Sequence, residues 1–199
     1  MTGTGRAQRA DARSNRARIL DAALEVFGKG GESASTEEVA RRAGVGIATV
    51  FRHFPTKAGL LDAVLVSRFD RLRERADGLA GSEDPGKALF DLFTEMVSDA
   101  PSKIAIAEAL EAAGGAESRA EQASRELQRS VGVLLRRAQA AGAVRADINL
   151  PEFYALLIGM SRAGTYAELS PEVRARALGV VFDGLAGPGG PAARLTGRG

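Results

Sequence analysis

Apolar residues recur three and four positions apart along nearly the whole chain, and nowhere do they alternate over a useful length. That period is helical, because side chains at i, i+3, i+4 and i+7 share one face of an α-helix, whereas a half-buried strand alternates. In "SNRARILDAALEVFGKGG" it sets Leu20, Ala23, Leu24 and Phe27 on one face and stops at glycines, a helix-ending signal. "STEEVARRAG" opens with Ser35 and Glu38 in capping-box spacing and ends at Gly44. A short helix from about Ile47 to His53 follows, Pro55 breaks it, and Thr56 is placed to cap the next. That next helix, "KAGLLDAVLVSRFDRLRERADGLAG", is long and amphipathic. After a turn at 82–85, five more helices are expected over roughly 86–99, 102–113, 117–141, 151–167 and 171–185. The expected fold is all-α, with about nine helices and no internal repeat.

Composition narrows the function classes. The chain has 199 residues, of which 45% are apolar and 26% charged, enough to bury a core in one large domain or two small ones. No apolar run approaches the roughly 18–20 residues of a membrane span. Residues 1–20 have no apolar centre of the secretory type, so no leader is expected there and the cytoplasm is the simplest compartment. The absence of cysteine removes disulfides, thiolate metal sites and thiol nucleophiles. "GKGGE" and "EAAGGAE" lack phosphate-loop spacing, and the single His53 has no second histidine for a metal or a catalytic set. No enzyme, cofactor or metal is expected. Charge is uneven: residues 1–80 hold fourteen Lys/Arg against ten Asp/Glu, and residues 81–199 hold thirteen against fifteen. The basic part comes first, which points to an anionic partner for that part only.

The richest stretch is "EEVARRAGVGIATVFRHFPTKAGLLDAV", residues 37–64. Ala40 and Gly44 are small enough for a second helix to cross closely, and Val39, Val45 and Val50 supply an apolar wedge. A short glycine-containing turn between two short helices is what a helix-turn-helix needs. On the second of these helices Val50 and Phe54 repeat at i, i+4 and face inward, leaving Ile47, Ala48, Thr49, Phe51 and Arg52 largely outward. Small and apolar side chains on such a face suit the major groove, where they approach closely and meet thymine methyls. Arg52 can bond guanine or a phosphate. His53 and Lys57 lie beside the start of the following helix, where backbone N–H groups favour a phosphate. A structural His53, buried in the fold, is the bland alternative. Arg41 and Arg42 read as solvated helix-face charges ahead of specific contacts. The N-terminal arginines read either as an arm in a minor groove or as disordered electrostatic help.

"AGVGIATVFRHFPTKAGLL" resembles the hallmark of TetR-family transcriptional regulators, through Ala43, Gly44, Val45, Thr49, Val50, His53, Phe54, Lys57, Leu60 and Leu61. Its wording is closest to an actinobacterial-type subgroup, and the strong resemblance covers residues 14–73. It implies a basic flexible tail over 1–13, a DNA-binding domain over 14–73 with its helix-turn-helix at 36–55, and an effector-binding and dimerisation domain over 74–186. The Gly/Pro-rich 187–199 is expected to be disordered. Implied DNA contacts are Ser35, Thr36, Gly46, Ile47, Ala48, Thr49, Phe51, Arg52, His53 and Lys57. Three positions depart from the family pattern: Gly46 replaces the usual capping serine, Phe51 the usual tyrosine, and Gly59 a glutamate.

The implied partners are double-stranded DNA carrying an inverted repeat, a second copy of the chain, and a small-molecule effector. "FYALLIGMSRAG", apolar nearly all round, must be covered on more than one side. A four-helix interface between copies is one reading, through Leu156, Gly159, Ala163, Leu178, Val181 and Phe182. Core helices of a monomer are the other. Phe90, Phe93, Met96 and Leu110, with Leu134, Phe153, Leu157 and Met160, are candidates to line an apolar effector cavity, and an ordinary core is the favoured reading for most of them. Glu108, Arg162, Thr165 and Tyr166 are candidate polar contacts. A DNA-binding regulator or activator without an effector is the alternative function.

Overall fold

The computed structural model describes the backbone of residues 4–115, 119–166 and 169–187, with side chains from residue 10 onward except 165 and 166. These residues form eight α-helices, one 3-10 turn and no strand. The helices are α1 (Thr4–Gly30), α2 (Thr36–Ala43), α3 (Ile47–His53), α4 (Lys57–Leu79), α5 (Pro85–Ala112), α6 (Arg119–Ala140), α7 (Leu150–Tyr166) and α8 (Pro171–Leu185). No helix among them is long and apolar enough to cross a membrane.

Two helix boundaries differ from expectation. The two helices expected over 86–99 and 102–113 are one, α5, with Pro101 inside it. Proline removes one backbone hydrogen bond, but Val97 and Ala100 before it and Ile106 after it are buried, so packing holds the turns on either side. The segment expected as a flexible tail is helical from Thr4. Its "GRAQRADAR" is rich in alanine, arginine and glutamine, which favour helix. Residues 1–3 and 188–199 lie outside the described residues.

The chain divides into two compact units, and the division is not the expected single cut near residue 73. One unit takes residues up to Phe69 together with Ser102–Ala123. The other takes Asp70–Pro101 and everything from Ser124. The second half of α5 therefore belongs with the helix-turn-helix. Ile106, Ala109 and Leu110 join Ile19, Phe27, Val39, Val50, Phe54, Leu60 and Leu61 in a single buried cluster.

Local chemistry fixes the first unit's short helices. Ser35 is extended (φ −111°, ψ 154°), and its side chain accepts from the Glu38 N–H at 3.2 Å. Glu38 does not complete the capping box; it pairs with Arg41 at 3.6 Å. α2 ends at Gly44 in the left-handed region (φ 64°, ψ 38°), where a side chain would be strained. Thr56 caps α4 by accepting from the Gly59 N–H at 3.0 Å, so the missing glutamate at Gly59 leaves this half of the cap intact.

In the second unit, Leu89, Leu92, Phe93, Val131, Leu134, Phe153 and Leu185 are buried. A side chain at Gly86 would begin 2.4 Å from the Ala143 Cβ, so only glycine permits that approach. Asn149 and Glu152 form a reciprocal capping box at the start of α7, with distances of 2.9 and 2.8 Å.

Candidate nucleic-acid interface

Between α2 and α3 lie only Gly44, Val45 and Gly46. The Val45 N–H returns to the Ala40 carbonyl at 3.1 Å, closing the turn against α2. Val50 is fully buried and Phe54, the residue capping α3, is nearly so, which sets the inner face of α3 as its periodicity requires. Ala48, Phe51 and Arg52 are exposed, Phe51 with 43% of its surface open. Thr49 and His53 are half-buried, and the His53 ring sits 6.3 Å from that of Phe54, tilted by 48°. Ile47 is half-buried and packs on the core, so it is less outward than its position suggested. α3 carries no acidic residue.

The other expected contacts are partly committed within the fold. Ser35 is the cap of α2, and Thr36 is half-buried in its first turn. Gly46 begins α3 with extended backbone and no side-chain cap. The Lys57 ammonium donates to the Glu32 carbonyl at 3.1 Å and the Ala34 carbonyl at 3.0 Å, and lies 5.2 Å from the centre of the Phe27 ring. It fastens the α1–α2 connection to the start of α4, with one of its three N–H groups left over. Arg42 pairs with Glu25. Sequence reasoning counted Arg16 only among the N-terminal arginines and missed its packing: the guanidinium lies over the Phe54 ring, 5.2 Å from its centre. The signal was there: Arg16 shares a face with Leu20 and Phe27.

Similarity to known proteins agrees with this geometry. Residues 19–64 match the family model described as bacterial regulatory proteins, tetR family. Residues 84–187, half of the chain, match the C-terminal domain of SbtR-like transcriptional regulators. This chain belongs to the TetR family of transcriptional regulators. Over 146 residues it is 34% identical to the transcriptional regulator SrpR of Pseudomonas putida, covering 71% of this chain and 68% of that one. Over 69 residues it is 42% identical to the repressor KstR of Mycolicibacterium smegmatis, covering 34% of each protein. A TetR regulator from Mycobacterium vanbaalenii has a similar structure, with a TM-score of 0.73 and 37% identity over 90% of this chain and 99% of that one. Another, from Streptomyces coelicolor, gives 0.73 and 34% over 86% and 98%.

In this TetR-family chain the second unit sorts the remaining expected residues. Phe90, Phe93, Met96, Leu134, Phe153 and Leu157 are buried there and Met160 is half-buried, whereas Leu110 belongs to the core of the DNA-binding unit. Glu108 also falls in that first unit, Arg162 is exposed, and the side chains of Thr165 and Tyr166 lie outside the described residues. Phe90 stacks on Phe182 with centres 4.5 Å apart, and Phe93 meets Phe182 and Phe153 edge-on at 5.5 and 5.3 Å. Phe182 thus packs on aromatic rings of its own unit and is half-buried, and Leu178 is buried. Val181 is half-buried. Leu156, Gly159 and Ala163 are exposed on α7, with Ile158 beside them. Sequence reasoning missed Val173 and Val180 on α8, which are 49% and 73% exposed. It also missed Tyr154, whose hydroxyl is buried with no hydrogen-bond partner among the described residues.

Proposed function

We propose that this regulator acts as a homodimeric repressor that holds an inverted-repeat operator through α3 of each copy and releases it when a small apolar molecule binds the second unit. The observation that carries the DNA half of this reading is the outer face of α3, where exposed Ala48, Phe51 and Arg52 stand beside a fully buried Val50 with no acidic residue between them. A phenylalanine left open to water is costly on a free surface and useful against a base methyl or a sugar. Ser35, Thr36, Gly46, Ile47, Thr49 and His53 surround that face and position it on the backbone. Lys57 holds the loop behind it.

The dimer is supported by the uncovered apolar residues of α7 and α8. Leu156, Ile158, Val173 and Val180 are large and exposed, and Gly159 has open space where a side chain would stand. A second copy would bury them isologously. Two such reading helices address half-sites about one helical turn apart. The effector is supported by the aromatic interior around Phe93 and the buried Tyr154 hydroxyl. Binding would favour one of two pre-existing states.

A specific observation favours a second reading. Phe90, Phe93, Phe153 and Phe182 already contact one another at 4.5–5.5 Å, as a filled core does. A DNA-binding regulator without an effector would look like this.

Selection of bound fragments from a genomic DNA pool by the purified protein, near physiological salt, tests the proposal. An inverted repeat with half-sites about one turn apart is expected. Recovery of salt-sensitive bulk DNA alone would overturn the operator reading.

A further inference from the structure

α8 has two faces of opposite character. Leu178 and Leu185 are buried and Phe182 packs on Phe90 and Phe93, so one side of the helix belongs to the core of its own unit. On the opposite side Val173, Arg176, Val180 and Asp183 fall in one sector, about 80° wide at 100° per residue. All four are exposed, and Val180 has 73% of its surface open. The stripe therefore reads apolar, basic, apolar, acidic along the helix.

Neither charge is used within the chain. Among the described residues Arg176 and Asp183 form no ion pair. Glu172 lies one turn before Arg176, but its carboxylate is hydrogen-bonded by Ser170 instead. Arg176 and Asp183 themselves are two turns apart, about 10.5 Å along the axis, too far to meet on one helix.

Such a stripe is complementary to itself when turned end for end. In a two-fold dimer whose α8 helices cross antiparallel, positions equally far on either side of the crossing point face each other. A crossing centred between Gly179 and Val180 sets Arg176 of each copy opposite the partner's Asp183, twice over by symmetry. It also brings the two Val180 side chains together beside Gly179, which has open space where a side chain would stand. The centre is then apolar and the charges flank it, as at the core and rim of an interface. A parallel crossing in register would set arginine on arginine and acid on acid.

We propose that this stripe chooses the partner: α8 pairs antiparallel with α8 of an identical copy about Val180, and two symmetric contacts between Arg176 and Asp183 fix the register. It rests on the homodimer reading above and deepens it by naming the residues that select the second copy. Flanking charges of this kind contribute specificity more than affinity. They favour an identical chain over a related regulator whose charges stand elsewhere, because the wrong pairing sets like charges together.

Charge reversal in the full chain tests this, with sedimentation for the dimer Kd and circular dichroism for helix content. Arg176→Glu sets acid on acid at both contacts, and Asp183→Arg sets arginine on arginine. Each should raise the Kd of its own dimer roughly ten- to a hundredfold at low salt, and by less at high salt. The two changes in one chain should restore most of the original affinity. Mixed in equal amounts, the two single variants should form a heterodimer in preference to either homodimer, because each supplies the charge the other lacks. Native mass spectrometry counts the three species.

Single reversals that leave the Kd unchanged would overturn the pairing. So would a loss that the combined variant does not recover, or random mixing of the two single variants. An unaltered chain that sediments as a monomer would instead overturn the homodimer reading itself, and the pairing with it.

Discussion

The Asp62 carboxylate on α4 accepts the backbone N–H of Ala120 at 3.1 Å, capping α6 from 58 positions away. The Nε of Arg119 reaches the same carboxylate at 3.2 Å. Asp62 is nearly buried and Arg119 is mostly exposed, so the backbone bond carries more of the stabilisation than the ion pair. Asp62→Ala should lower stability by roughly 1–3 kcal/mol, because it leaves a buried N–H unsatisfied. Urea unfolding checks this. A midpoint equal to that of the original chain would remove Asp62 as a cap.

Lys57 has a role of the same kind. Its two carbonyl acceptors at 3.1 and 3.0 Å belong to the connection between α1 and α2. Lys57→Ala should cost about 1–2 kcal/mol in stability. DNA affinity should fall for all sequences alike, because the reading head loosens as a whole. A variant of unchanged stability with a salt slope shallower by about 0.9 would make Lys57 a phosphate contact instead.

Arg52 is exposed at the end of α3. If it reads guanine, Arg52→Ala relaxes the preference at one base position by about 1–3 kcal/mol. That is the expected result in a binding assay over single-base operator variants. Uniform weakening at every position would make Arg52 a backbone contact.

The Tyr154 hydroxyl is buried without a hydrogen-bond partner among the described residues, and burial pushes it above the usual phenol range. Removing an unsatisfied buried hydroxyl costs little. Tyr154→Phe should therefore leave the melting temperature unchanged or raise it, by up to about 1 kcal/mol of stability, with operator affinity intact in the absence of any effector. A clear loss of stability would mean that the hydroxyl is bonded in solution.

Lys103 is held below its ordinary value of 10.5 by burial first, and then by the nearby Arg68 guanidinium. Its ammonium lies 5.7 Å from the centre of the Phe69 ring. Because the folded value is below the unfolded one, the unfolded chain binds more protons in the window below 10.5. Stability should therefore rise with pH through that window, and the penalty is fully present at neutral pH. Lys103→Met should flatten this rise, and melting curves from neutral to alkaline pH will show it. A rise of the same size in the variant would assign it to another group.

The sequence was most legible where one residue sets one local conformation. Ser35 caps α2, Gly44 takes the left-handed turn, and Val50 and Phe54 face inward, all as their spacing requires. What was hidden depended on partners far along the chain. A proline normally argues for a break, and Pro101 did not make one because buried residues hold α5 on both sides. Leu110 looked like second-unit lining, with Phe90, Phe93 and Met96, because every residue beyond 73 was expected in the second domain, yet α5 is shared between units and Leu110 joins the buried cluster that holds Phe27 and Leu61. Lys57 looked free because nothing in its spacing points to carbonyls 23 and 25 positions earlier. Phe182 and Leu178 share a helix with Val180, and periodicity does not say which face meets the chain's own core.

The two glycines of the α2–α3 turn leave the protein very different freedom to change. Gly44 has a backbone that other residues adopt only under strain, so drift there is closed. Gly46 has ordinary extended backbone and open space around it, so side chains can enter without displacing anything. A serine at 46 would supply the missing cap and firm the start of α3 by a few tenths of a kcal/mol. Substitution at position 46 is therefore a low-cost route to altering the start of α3, one that leaves the turn at Gly44 intact.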